Sequence, residues 1–251
     1  MDSRVPYFDI LTKKHPFMLT RHIALVCQTQ RIGMSELLPV SAALQKQATN
    51  DLGPAWSIRA TLDAFTHVQD VPPGYWPIFV RDDIKEPGAE GYHTDQNRQP
   101  FALVRWSPTW ALTVSHEMLE MLVDPFGDRL VASASIKPGQ GTVNYLVEVC
   151  DPCESNRCAY FVNGIPLSDF YTPDYFDAGT ARGVRYSIAG NIKRPLQLLK
   201  EGYLSWMEPS TGKWFQSTWF GTKPEIREVT ARIEGLDGSI RERLDRIKVH
   251  G

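Results

Sequence analysis

Apolar and polar positions along this chain change period several times, and each change predicts an element. The run Ile23-Ala24-Leu25-Val26-Cys27 is short, apolar and rich in branched side chains, the pattern of a buried strand. Residues 35–51 then switch to helical spacing. Leu37, Leu38, Leu44 and Ala48 fall on one side, Ser35 is suited to cap the start, and Gly53-Pro54 predicts the stop. Three strands are expected next, at 58–65, 76–80 and 101–106. Val71-Pro72-Pro73-Gly74 and Glu86-Pro87-Gly88 between them carry strong turn chemistry. At 109–123 the helical period returns, with Ala111, Val114, Met118 and Met121 or Leu122 in one apolar stripe. Strand, helix, strands, helix is the order of a mixed sheet with helices packed on it.

The second half reads as mostly β. A strand is expected at 145–150, a strand entering a hairpin turn at 160–165, and an aromatic hairpin at 203–220 around Glu208-Pro209-Ser210-Thr211-Gly212, with its rings packed against the core. In the tail, Ile226, Val229, Ile233, Leu236, Ile240, Leu244 and Ile247 recur every three or four residues, close to a heptad seam, although Gly235 and Gly238 weaken a helix there. Two uses fit this seam. It docks on its own domain, or it makes a homo-oligomer by pairing residues 226–247 with a second copy. The expected division is an irregular lead-in at 1–20, a main domain at 21–222 and a helical tail at 223–251. The fold class is α+β.

Composition narrows the function. With 42% hydrophobic and 22% charged residues, the 251-residue chain has ordinary globular character. A net charge of −2 with no basic stripe argues against nucleic acid as a partner. No apolar run approaches the roughly 20 residues that span a bilayer, and the first residues lack a signal peptide's charged start and apolar stretch. A soluble cytoplasmic protein with no membrane partner is the expectation. Of four cysteines, Cys150, Cys153 and Cys158 form C-x2-C-x4-C. That spacing is compatible with metal or a small disulfide loop, but it lacks an evident fourth ligand, so reduced thiols in a turn are expected.

The chemistry concentrates on the second helix. In Ser115-His116-Glu117-Met118-Leu119-Glu120, the residues His116 and Glu120 lie four apart and share one face. Asp124 continues that stripe for a further turn. An imidazole nitrogen and a carboxylate oxygen at this spacing supply two of the three protein ligands of a catalytic divalent-metal site. Glu117, about 100° around the axis, is placed to be the general base on a water held by the ion. The helix back is apolar, so this polar face is expected to meet a cleft or solvent. A third ligand must come from elsewhere. Glu148 is the lone charge in an apolar run and needs a metal, an Arg or Lys partner, or an exposed edge; Asp151, before Pro152, is the other choice, and Asp124 a third. His93, beside Tyr92, either approaches the site or faces solvent. Ser168-Asp169 and Asp174 with Asp177 are expected to cap helices rather than to bind Ca.

The segment Ser115-His116-Glu117-x-x-Glu120 on a helix, after a strand, a helix and further strands, resembles the core of zincin metallopeptidases over roughly residues 20–125. It departs from most of them at Glu120, where they carry His. The longer set 115–125, Glu148-Val149-Cys150-Asp151-Pro152 and 168–173 is similar to a group of uncharacterised bacterial proteins. The zincin resemblance implies a zincin-like mixed sheet with an active-site helix, followed by a β-rich region. It implies His116 and Glu120 as ligands, Glu117 as base, Tyr92-His93 or a nearby strand as a substrate-binding edge, and a metalloprotease acting on a peptide or protein. The ion expected first is Zn; the oxygen-rich set also suits Mn or Ca. The alternative is a non-catalytic, metal-stabilised structural or interaction protein that self-associates through its tail, and a third reading pairs the carboxylates with Arg and needs no metal.

Overall fold

The computed structural model describes residues 19–247. Residues 1–18 of the expected lead-in, His15 and His250 lie outside that range. The α+β class is observed, with two five-stranded sheets and a small hairpin.

The first sheet is built from β1 (Thr20–Cys27), β2 (Arg59–Phe65), β3 (Trp76–Arg81), β4 (Gly91–Gln96) and β5 (Gln99–Arg105) in the order β2-β1-β3-β5-β4. Four strands run parallel, and β4 is antiparallel at the edge. Ile23 to Val26 are fully buried, as expected of a central strand covered on both faces.

Between β1 and β2 the chain runs through α1 (Met34–Gln47), a π turn (Ala48–Leu52) and α2 (Gly53–Trp56). The helical path therefore starts at Gly33 rather than Ser35 and passes the stop expected at Gly53-Pro54. Pro54 falls in the first turn of α2, where its missing N–H forfeits little and its fixed φ suits a helix start, so it is accommodated. Leu37, Leu44 and Ala48 are buried along this path, whereas Leu38 is exposed.

The helix that carries the motif is α3 (Trp110–Val123). Val114, Met118 and Met121 are fully buried against the sheet, each contributing about 1.5–3 kcal/mol of apolar burial. A hydrogen-bonded network fixes its height: Ser115 Oγ donates to Gln47 Oε1 at 2.8 Å, and the Ser168 N–H donates to Ser115 Oγ at 3.0 Å.

The second sheet is antiparallel, in the order β12-β11-β10-β7-β6, from β6 (Leu130–Ala134), β7 (Thr142–Leu146), β10 (Tyr203–Glu208), β11 (Lys213–Thr218) and β12 (Glu225–Glu228). The aromatic hairpin is β10–β11. Trp206 is fully buried and stacks on Phe215 with ring centroids 5.9 Å apart. The hairpin expected near 160–165 is β8 (Tyr160–Val162) and β9 (Ile165–Leu167), turning at Asn163-Gly164. The strand expected at 145–150 ends at Leu146, so Glu148 lies beyond the ladder.

The tail is helical only in pieces. After β12 come α4 (Thr230–Ile233) and α5 (Ile240–Asp245), separated by Gly235 and Gly238 at φ of 75° and 101°. Its apolar positions Val229, Ile233, Leu244 and Ile247 pack in cis against Leu146 and Trp214. No described helix is long and apolar enough to cross a membrane.

Candidate metal centre

The helix repeat brings His116 and Glu120 together as their spacing requires. His116 Nε2 stands 3.3 Å from Glu120 Oε2, and the chain beyond β7 brings Asp151 Oδ1 to 3.4 Å from the same nitrogen. Two ligands at about 2.0–2.2 Å from a tetrahedral ion stand roughly 3.3–3.5 Å apart, so both separations match a shared cation. Glu120 is held from behind, its Oε1 accepting the Cys150 N–H at 3.2 Å. Asp151 starts a short 3-10 turn (Asp151–Cys153) seated under β10, where the glycine at 202 lets backbone pass; a Cβ there would lie 2.7 Å from the Asp151 carbonyl.

Of the cleft or solvent expected to meet the polar face of α3, a cleft reaches His116 and Glu117, and the rest of the face is covered. Glu117, Glu120 and Asp124 are all buried, and His116 alone keeps part of its side chain, 14%, exposed. The cover is Arg241 of α5, itself 3% exposed. Its guanidinium donates through Nε to Glu148 Oε2 at 2.7 Å, through Nη1 to the His93 carbonyl at 2.6 Å, and through Nη2 to Glu117 Oε2 and Glu120 Oε2 at 3.3 Å each. Of the partners expected for Glu148, the structure supplies the arginine. Motif spacing does not reveal Arg241, because nothing ties it to residues more than ninety positions away. The local signal present is a capping box: Ser239 and Glu242 bond each other's backbone at the start of α5, which sets the first turn that carries Arg241.

His93 approaches the site from β4. Its Nε2–H donates to the Asp124 carbonyl at 2.9 Å, and its Nδ1 lies 3.5 Å from Glu117 Oε2. Asp124 does not continue the ligand stripe. Helical backbone ends at Val123, and the Asp124 carboxylate turns away to accept the N–H groups of Asp128 and Arg129 at 3.2 and 2.9 Å. Cys150, Cys153 and Cys158 are buried free thiols, as expected, and burial pushes all three above the usual thiol range. Asp169 is neither a cap nor a cation ligand here; its carboxylate is filled by protein donors.

Protonation follows from this packing. Burial works against charge on His116, but Glu120, the contact with Asp151 and Glu117 outweigh it and hold the imidazole well above its ordinary value. Burial also opposes charge on Glu120, yet His116 and Arg241 keep it well below the carboxylate range; Glu117 is lowered against burial by His93 and Arg241. Glu148 goes the other way. Burial among Glu120, Asp151 and Asp124 pushes it well up against the pull of Arg241.

Compared with protein-family models, with curated proteins and with solved structures, the chain matches none. The residues must carry the interpretation. They pass a test for fit: Glu148 Oε1 is buried with no hydrogen-bonding partner, and one oxygen from each of Glu120, Glu148 and Asp151 lie within 4.8 Å of one another. Three buried carboxyls, those of Glu117, Glu120 and Glu148, and the partly exposed Asp245 contact one guanidinium, and Asp151 lies beside Glu120 and Glu148. A divalent cation suits that excess of acceptors.

Proposed function

We propose that this protein is a metal-dependent hydrolase, zincin-like in arrangement, that cleaves a peptide or protein substrate. His116, Glu120 and Asp151 hold the divalent ion, Glu117 is the general base, and Glu148 stands behind the ligands, paired to Arg241. The observation that carries this reading is the double approach to His116 Nε2, by Glu120 Oε2 at 3.3 Å and Asp151 Oδ1 at 3.4 Å, with His116 itself lining an open cleft. When bound, the ion polarises a carbonyl oxygen and lowers the pKa of a coordinated water.

The chain's own groups account for the rest. Glu117 lines the same cleft beside His116 and is held in its charged, proton-accepting form, so it can take the proton of an attacking water and deliver it to the leaving amine. Gly91 of β4 leaves the room that Glu117 occupies; a Cβ there would lie 2.8 Å from Thr113 Cγ2 and 3.0 Å from Glu117 Oε1. The antiparallel edge strand β4 borders the cleft through Gly91, Tyr92 and Thr94, which supports a peptide lying along it. One imidazole and two carboxylates neutralise a divalent ion, so Zn fits, and Mn or Ca fits the oxygen-rich set as well.

Elemental analysis of the purified protein tests this directly. The expected result is close to one equivalent of a divalent metal, lost on His116→Ala; a metal-free protein that takes up none on titration would end the reading. Gly91→Ala is expected to displace Glu117, lowering kcat more than tenfold at a cost of about 1–3 kcal/mol in unfolding free energy. An unchanged kcat would mean that the carboxylate position beneath β4 does not matter.

A second reading has one observation in its favour. Arg241 already places a cation against Glu117, Glu120 and Glu148, as a non-catalytic protein with arginine-paired acids would. The metal measurement separates the two.

A further inference from the structure

Residues 229–247 contribute no group to the proposed chemistry, yet they reach its centre. Their apolar side chains form a cluster apart from the main core, with Val229, Ile233, Leu244 and Ile247 against Leu146 and Trp214. From that anchor, α5 leans over the cleft. Glu242 Oε1 accepts the Thr94 hydroxyl of β4 at 2.6 Å, and the Arg241 N–H donates to the Gly127 carbonyl at 3.1 Å.

The Arg241 guanidinium contacts three groups that the proposed reaction needs, while its Nε pairs with Glu148, behind the ligands, at 2.7 Å. Glu120 Oε2, 3.3 Å from Nη2, is also the oxygen nearest His116, so a bound ion and the guanidinium draw on the same atom. Glu117 Oε2, also 3.3 Å from Nη2, is an oxygen of the base. The third group belongs to the substrate edge. The Arg105 N–H pairs with the Glu90 carbonyl, which sets the phase of the β4–β5 ladder and turns the backbone groups of Gly91, His93 and Asp95 outward. The His93 carbonyl is thus an edge acceptor beside the site for a peptide added to β4, and Arg241 Nη1 already fills it at 2.6 Å.

We infer that residues 229–247 form an intramolecular inhibitory strap, with Arg241 as a plug that withholds Glu117, Glu120 and the His93 edge carbonyl until it withdraws. This rests on the metal-dependent reading above and adds regulation to it. The strap's apolar anchor is a small cluster apart from the main core, and Gly235 and Gly238 divide the strap into short pieces. By linkage, a cation that binds only when the strap is away has its apparent affinity reduced by the fraction of molecules with the strap released, and the cation in turn favours release.

The test is zinc binding to the full chain, measured by calorimetric titration of the metal-stripped protein, alongside hydrogen exchange. Arg241→Ala, which removes the plug, and Leu244→Ala, which loosens the anchor while keeping Arg241, are both expected to bind Zn at least tenfold more tightly than the unaltered chain. Zn added to the unaltered chain is expected to speed amide exchange across residues 229–247. If Arg241→Ala does not fold, Leu244→Ala and the exchange measurement decide. Equal or weaker binding in the variants, or slower tail exchange with Zn, would overturn the strap and make Arg241 a structural member of the site, leaving the hydrolase reading intact. Failure of every form to bind Zn, Mn or Ca would remove both.

Discussion

Glu117→Gln is expected to lower the proposed hydrolysis by about 10²–10⁴-fold and to leave the bound metal near one equivalent. The amide keeps the shape of the side chain, which matters because Glu117 is buried between Gly91, His93 and Arg241. It cannot accept the proton of an attacking water at neutral pH, so the loss falls on kcat. Metal content is expected to be spared because His116, Glu120 and Asp151, the proposed ligands, are untouched. Single-turnover hydrolysis of a peptide library, with elemental analysis of the same sample, reads both quantities. Full activity in the variant would show that Glu117 is not the base. Loss of the metal along with activity would place Glu117 among the ligands instead.

Asp169→Ala is expected to destabilise the protein by about 3–5 kcal/mol, with no dependence on metal. Asp169 is fully buried. Oδ1 accepts the N–H groups of Phe170 and Ala189 at 2.9 and 2.8 Å, and Oδ2 accepts the Ser187 hydroxyl at 2.7 Å and Asn191 Nδ2 at 2.9 Å. The alanine leaves two backbone N–H groups without that acceptor, each worth roughly 1–3 kcal/mol when unsatisfied, and lets the loop at 187–192 loosen from the chain after β9. Urea unfolding followed by tryptophan fluorescence measures the difference. A change below about 1 kcal/mol would mean that water replaces the carboxylate at no great cost.

The two sites differ in how far sequence reasoning reaches them. His116, Glu117 and Glu120 are legible because one helix turn sets their relation, and α3 has a strong apolar stripe to identify it. Asp151 is legible as one of three choices, but its contact with His116 spans 35 positions and depends on where β7 ends. The expected strand at 145–150 stops at Leu146, and that early stop lets the following chain turn Asp151 inward. Glu148 was an oddity in an apolar run, with its partner undetermined. Asp169 looked like an ordinary cap, since its four donors are scattered over residues 170–191. Asp124 misled for a definite reason: the i+4 stripe holds only while the backbone is helical, and at Asp124 it is not.

By itself the sequence determined what depends on neighbours a few residues apart. Period 2 and period 3.6 marked most strands and the helices, turn residues marked the hairpins, and one helix repeat set His116 beside Glu120. Only the tertiary structure decided which sheet each strand joined, that the face of α3 is covered, and that Arg241, 121 positions from Glu120, lies among its acids. The reason is physical. Local pattern constrains dihedral angles and which side of an element is apolar, whereas the meeting of distant side chains depends on register, layer packing and the path of a broken tail, none of which leaves a period in the chain.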